Sequence, residues 1–287
     1  MNVAHAMKLA LLSLIGMQLV ACASPSQRMD ERAADLGYSR VVVRGEGFDH
    51  VAYFKQGIAP ANSILHVYLD GDGTPWLRKH VPATDPTPHN PMMLDLMSLD
   101  PSTSVYLGRP CYQGLNQDKA CIPEVWTDGR YSDAVVASMA AALDRLSADY
   151  SAFVLLGYSG GGTLAMLMAE RLPKTETVIT VAGNLDTARW AEFHKQQPLS
   201  GSLNPATRPS LPSRIRQMHF AGADDDNVPP ALIHDSIALQ QGARFKVFPK
   251  QDHSCCWREV WPEILGELTS DEFSIAMGKA FHDWGQQ

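Results

Sequence analysis

Several common chemistries have no foothold in this sequence. It carries no run of Lys or Arg and a formal net charge of −7. A cationic face for a phosphate backbone is therefore missing, and nucleic acid is not an expected partner. No GxGxxG turn follows the first apolar run; "RGEGFDH" stands at 44–50 instead, which removes the usual cradle for flavin or nicotinamide. No Lys follows the glycines at 160–162, where Thr163 and Leu164 stand, so a Walker phosphate loop is excluded. There is no CxxC pair, and His253, Cys255 and Cys256 sit too close along one segment to wrap a tetrahedral ion. No metal and no organic cofactor is expected. Internal repeats, low-complexity tracts and signs of a second domain are likewise missing.

What remains is an ordinary globular composition, 45% hydrophobic over 287 residues, enough for one large α/β domain. The N-terminus is a separate matter. "MKLALLSLIGMQLVACAS" begins with Met7-Lys8, runs apolar, and reaches Leu19-Val20-Ala21-Cys22. A charged start, an apolar middle too short to span a bilayer comfortably and small residues before a cut site make a secretory signal over 1–21. "LVAC" resembles the lipobox of bacterial lipoproteins. That resemblance implies a lipid on Cys22, a membrane contact through that anchor, and a place at the outer membrane facing the periplasm. Residues 22–39 are polar and alanine-rich and read as a tether, with "MDERAADLG" a short helix inside it. The domain proper is expected over 40–287. Export exposes the chain to an oxidising compartment, and the four remaining cysteines suggest two disulfides. Cys111–Cys121 is the favoured clip, with Cys255 and Cys256 either bonded to each other or left as thiols.

From residue 40 onward β-branched and aromatic runs alternate with helical ones. "RVVVRG" and "HVAYFKQG" read as an antiparallel edge. "SILHVYL", "STSVYL", "FVLLG", "ETVITV", "RQMHFAG" and "ARFKVF" read as further strands. Between them lie helices at 90–99, 130–147, 161–172 and 231–242, and two more close the chain after Trp257, the first interrupted at Pro262. Asn90 and Ser132 are the expected caps of the first two. The pattern predicts an α/β class with a mostly parallel central sheet and helices on both faces. Two proline-rich loops, 80–91 and 196–214, leave strand ends on the side where such sheets hold ligands.

One stretch carries chemistry. In "FVLLGYSGGGTLAML" a strand runs into Gly157-Tyr158-Ser159-Gly160-Gly161 and then a helix. That is G-x-S-x-G in the strand–turn–helix setting which lifts a serine hydroxyl clear of the backbone. Gly157 and Gly161 are bare so that strand and helix approach. A serine needs a base and a carboxylate that orients it. "FAGADDDNVPP" supplies Asp225, with Asp224, Asp226 and Asp186 as competitors, and "FPKQDHS" supplies His253 straight after the last strand. His194, His219, His234 and His282 fall inside other elements and read as structural or solvated. Charge on a substrate oxygen needs backbone N–H donors. Gly160 offers one, and Asp72 in "LDGDG", through its backbone, offers the other.

Taken together, "LDGDG", "GYSGG", "GADDDNVP" and "QDH" resemble the α/β-hydrolase fold in order and spacing over nearly the whole mature chain. "GRPC" and the acidic "LDGDG" loop look like features of exported bacterial members. No HG or HGGG precedes that loop, unlike lipases and carboxylesterases. The resemblance implies a serine hydrolase acting on a small-molecule or lipid ester, or a thioester, through an acyl-enzyme. Amide cleavage and acyl transfer use the same three side chains, and a non-catalytic binding lipoprotein on the same fold is the reading from another class. The stretch 186–214 is too short and too proline-broken for a large helical cap, so an open site is expected.

Overall fold

The apolar runs become strands, buried on both faces at the centre of the sheet and partly exposed at its edges. The computed structural model describes residues 23–55, 63–78, 80–146 and 148–268; the signal segment, Cys22 and the expected last helix lie outside the described residues. Strands β1 (Tyr38–Arg44), β2 (Asp49–Lys55) and β3 (Ile64–Leu69) are followed by a small separate hairpin, β4 (Trp76–Arg78) with β5 (Val81–Pro82). Then come β6 (Ser104–Leu107), β7 (Ala152–Tyr158), β8 (Thr175–Val181), β9 (Arg216–Gly222) and β10 (Arg244–Phe248). The main sheet has eight strands in the order β1-β2-β6-β3-β7-β8-β9-β10. Pairing is antiparallel between β1 and β2 and between β2 and β6, and parallel from β6 to β10. The mostly parallel sheet and its antiparallel edge are as the sequence predicts.

Helices cover both faces because successive strand residues point to opposite sides. On one face Leu65, Val67, Phe153 and Leu155 pack with Val136, Met139 and Leu143 of α3 (Asp133–Leu146) and Leu164 and Leu167 of α4 (Gly160–Ala169). On the other, Tyr53, Tyr68, Tyr106, Leu156 and Phe220 meet α1 (Pro25–Asp35), α2 (Met92–Met97) and a helix over 257–268, here α7. α5 (Thr187–Phe193) and α6 (Pro230–Ile237) flank β9 in sequence.

Three expectations need correction, and one helix is new. Residues 24–39 are not a tether. Ser24 and Gln27 form a reciprocal capping box, Pro25 opens α1, and Met29 and Ala33, one turn apart, are 1% and 2% exposed. The domain thus begins near Ser24. Asn90 does not cap α2, whose N-cap position is Pro91 without a side-chain bond. Helix α7 runs straight through Pro262, anchored by a stripe of Trp257, Trp261, Ile264, Leu265 and Leu268 in the core. Helix α5 was not anticipated; Asp186 caps it by accepting from the N–H groups of Ala188 and Arg189, so that acid is already occupied.

Two buried histidines tie the fold to pH. His50 donates from Nδ1 to the Gly108 carbonyl (2.9 Å) and its Nε2 accepts from the Ser138 hydroxyl (2.8 Å). Burial lowers it to about 4 against the opposing pull of that carbonyl. His219 lies 2.8 Å from Thr180 Oγ1, and burial lowers it to about 3. Both stay neutral in the folded chain and take up a proton near pH 6.5 once unfolded. Their contribution is whole above pH 6.5 and is lost as pH falls toward 4 and 3. Urea unfolding at pH 5 is expected to give a stability lower than at pH 7 by about 2 kcal/mol per histidine. His219→Asn should show a shallower pH slope than the parent, and an equal slope would contradict the account.

Candidate functional site

Strand β7 ends at Tyr158 and α4 begins at Gly160, leaving Ser159 alone in the turn with φ 52° and ψ −120°. A non-glycine residue adopts positive φ only when its surroundings insist. Here the insistence is contact of bare backbones. A Cβ on Gly157 would overlap the Gly161 carbonyl, and one on Gly161 would overlap the Leu69 carbonyl of β3. The Ser159 N–H is held by the Val181 carbonyl at 3.0 Å, while its own carbonyl accepts from Gly162 and Asn184. The hydroxyl is left to face the loops beyond the strands' C-terminal ends.

Two of those loops bring the expected partners. His253 Nε2 lies 3.0 Å from Ser159 Oγ, and His253 Nδ1 lies 2.9 Å from Asp225 Oδ2. The Asp225 carboxylate is wholly buried, and its other oxygen accepts from Asn227 and Val228 N–H at 2.9 and 2.7 Å. Those two bonds explain why the middle acid of the triplet turns inward while Asp224 and Asp226 stay exposed. The His253 loop is steadied by Trp257, whose indole N–H points at the carbonyls of Asp252 and His253 (3.1 and 3.2 Å). Next along the chain Cys255 and Cys256 are bonded to each other, one of the two states left open by the sequence, and Cys111 pairs with Cys121.

Beside the serine runs the loop that leaves β3. A Cβ on Gly71 would touch Ser159, and one on Gly160 would overlap the Asp72 carboxylate. That carboxylate does not face the site as an unbalanced charge. It accepts from Arg109 (2.9 Å), Arg130 (2.7 Å) and the Tyr131 hydroxyl (2.5 Å), and the Asp72 carbonyl accepts from the Tyr112 hydroxyl (2.8 Å). Burial works to raise the Asp72 pKa, but the guanidiniums of Arg130 and Arg109 outweigh it and hold the carboxyl below its ordinary range. Both arginine side chains are themselves buried, at 6% and 7% exposure. One step back, Asp70 gives one oxygen to the Gly71 N–H (2.9 Å), and burial pushes it up to about 7 against that bond.

Gly160 and the Asp72 carboxylate are therefore neighbours, and the Gly160 N–H opens a helix, where the first N–H groups have no acceptor within the helix. Arg109, Arg130, Tyr112 and Tyr131 were not read from the sequence. The hint was the "GRPC" segment, whose Arg109 sits two residues before a disulfide half. The loop over 196–214 makes no cap. Gly201 N–H and Leu203 N–H bond to Asp128 and to the Tyr131 carbonyl, which lays the loop down against the 128–131 turn.

The fold is that of the α/β hydrolases. Est1E from Butyrivibrio proteoclasticus, solved with ferulic acid, superposes with a TM-score of 0.60 at 11% identity, over 82% of this chain and 99% of its own. A membrane phospholipase A, a bacterial virulence factor, gives 0.57 at 15% identity over 93% and 97%. An α/β-hydrolase candidate of unknown function from Agrobacterium tumefaciens gives 0.52 at 15% over 84% and 97%. No protein-family model and no curated protein matches the sequence. At such identities the likeness is one of fold.

Breaking the buried ion cluster should be costly. Arg130→Met is expected to lower stability by about 2–4 kcal/mol, since it strips one of two cations from a buried carboxylate. Adding Asp72→Asn to Arg130→Met should restore part of that loss, a coupling of about 1 kcal/mol or more. Urea unfolding of the two single variants and the double variant checks it, and strictly additive losses would refute the clamp.

Proposed function

We infer that this chain is a serine hydrolase that cleaves carboxylic esters or thioesters, held at the bacterial envelope by a lipid on Cys22. The single observation carrying the reading is the unbroken relay from Ser159 through His253 to Asp225, at 3.0 and 2.9 Å. A hydroxyl, an imidazole and a buried carboxylate in that order are what nucleophilic acyl transfer requires.

In this reading His253 Nε2 takes the Ser159 proton as Oγ attacks the acyl carbonyl carbon. Asp225 holds Nδ1–H in place and offsets the imidazolium charge. The oxyanion is met by the N–H groups of Gly160 and Asp72, while the two arginines keep the Asp72 carboxylate from repelling it. Collapse breaks the bond to the leaving alcohol or thiol, which receives the proton from His253. Water, deprotonated by the same imidazole, then attacks the acyl-enzyme, and the acid departs as Ser159 regains its proton. A loop without a cap suits small or surface-presented esters, and a membrane phospholipase A among the similar folds favours a lipid-borne one.

The envelope assignment rests on the N-terminal signal, and two paired disulfides suit an exported chain. Outer-membrane attachment facing the periplasm is part of the same proposal. Cells fed a tagged fatty acid should label the parent and not Cys22→Ala; label on the variant would refute the anchor.

Hydrolysis of p-nitrophenyl esters of increasing chain length tests the chemistry. Ser159→Ala and His253→Ala are each expected to lose about 10⁴-fold or more in kcat, and Asp225→Asn about 10³–10⁴-fold. Turnover by Ser159→Ala at the parental rate would end the proposal.

A further inference from the structure

The start of α1 is fastened to the loop that follows β5. Ser26 donates its N–H and hydroxyl to Asp85 Oδ2 at 3.0 and 2.8 Å, and its Oγ lies 3.0 Å from Thr87 Oγ1. Arg28 reaches His89 Nδ1 at 3.1 Å and also the carbonyl of Ala23, the residue joined to Cys22. The same loop closes on the chain leaving β3: Thr74 N–H donates to the Pro86 carbonyl and Ala83 N–H to the Pro75 carbonyl, both at 2.9 Å. The start of α1 and the chain on either side of the β4–β5 hairpin are thus bound to one loop over 83–89, and the hairpin opens four residues after Asp72 in the chain.

The hairpin carries an unusual surface. Trp76, Leu77 and Val81 are 38%, 61% and 48% exposed. Arg78, cross-strand from Val81, and His80 are exposed as well, and Lys79 stands between them in the sequence. Single exposed apolar residues are ordinary. Three large ones within six residues, interleaved with cations in a chain of net charge −7, are not. Trp seats itself at the boundary of headgroup and acyl chain, aliphatic side chains gain by leaving water, and Arg and Lys are drawn to anionic headgroups.

We propose that the β4–β5 hairpin is a membrane-docking element that seats Trp76, Leu77 and Val81 in the interface of an anionic bilayer and turns the Ser159 site toward esters at that surface. The proposal deepens the hydrolase reading and rests on the Cys22 anchor for its orientation. Anchor and hairpin act together: once the lipid holds the chain, the hairpin meets the bilayer at high effective concentration, so a modest patch suffices.

The test uses the full chain reconstituted into phosphatidylglycerol–phosphatidylcholine vesicles whose acyl chains carry bromine, a short-range quencher of Trp emission. The parent should lose a fraction of its emission that Trp76→Phe does not lose. Leu77→Asp, at an exposed position that leaves the core intact, should cut the quenching to the Trp76→Phe level. Replacing phosphatidylglycerol by phosphatidylcholine alone should weaken it several-fold. Equal quenching in the parent and Trp76→Phe would overturn the proposal, as would quenching in Leu77→Asp matching the parent. Fluorophosphonate labelling and fatty-acid incorporation, read in the same samples, report separately on the triad and the anchor.

Discussion

At the centre of this molecule a helix and two strands approach until only hydrogen atoms fit between them. Gly157 lies against the Gly161 carbonyl, and Gly161 against the Leu69 carbonyl. Any side chain there would push α4 off the sheet. Because the backbones meet, the turn between them is short, and because it is short Ser159 is driven to φ 52°. Such a conformation costs about 1–3 kcal/mol, a cost carried by the core that α4 buries, where every residue from Gly160 to Ala169 is out of solvent. Fold stability and hydroxyl exposure have one origin.

The same closeness sets an electrostatic condition. Gly160 approaches the Asp72 carboxylate so nearly that an unpaired acid there would set a bare negative charge close to Ser159. Arg109 comes from the segment after β6, Arg130 and Tyr131 from the turn before α3, and all three donate to that one carboxylate. The Cys111–Cys121 bond closes the loop that begins two residues beyond Arg109. The Asp72 carboxylate is thus the post to which the loop beside Ser159 is tied.

Much of this was legible beforehand, for reasons that differ from element to element. The eight strands of the main sheet are readable because each is a short β-branched or aromatic run bounded by turn residues, whether buried, as in β7, or partly exposed at an edge, as in β1 and β10. Ser159 and His253 stood out because each follows a strand, and Asp225 because Val228 lies three residues on, where its N–H closes a turn onto the carboxylate. Contacts between distant segments were not readable. Arg130 and Tyr131 reach Asp72 across 58 and 59 residues, a meeting that depends on β3 lying beside β6 and β7. The first helix reads as part of a tether because its buried stripe amounts to Met29 and Ala33 amid polar neighbours, too thin a pattern to count until the sheet supplies its partner.

The account stands or falls on whether the hydroxyl at 159 is nucleophilic in the folded chain. Intact protein treated with a fluorophosphonate and digested for mass spectrometry answers it: the phosphonyl adduct should sit on the peptide bearing Ser159, form rapidly in the parent and slow sharply in His253→Ala. A parent protein that takes no adduct under native conditions, or takes it at a different residue, would contradict the claim.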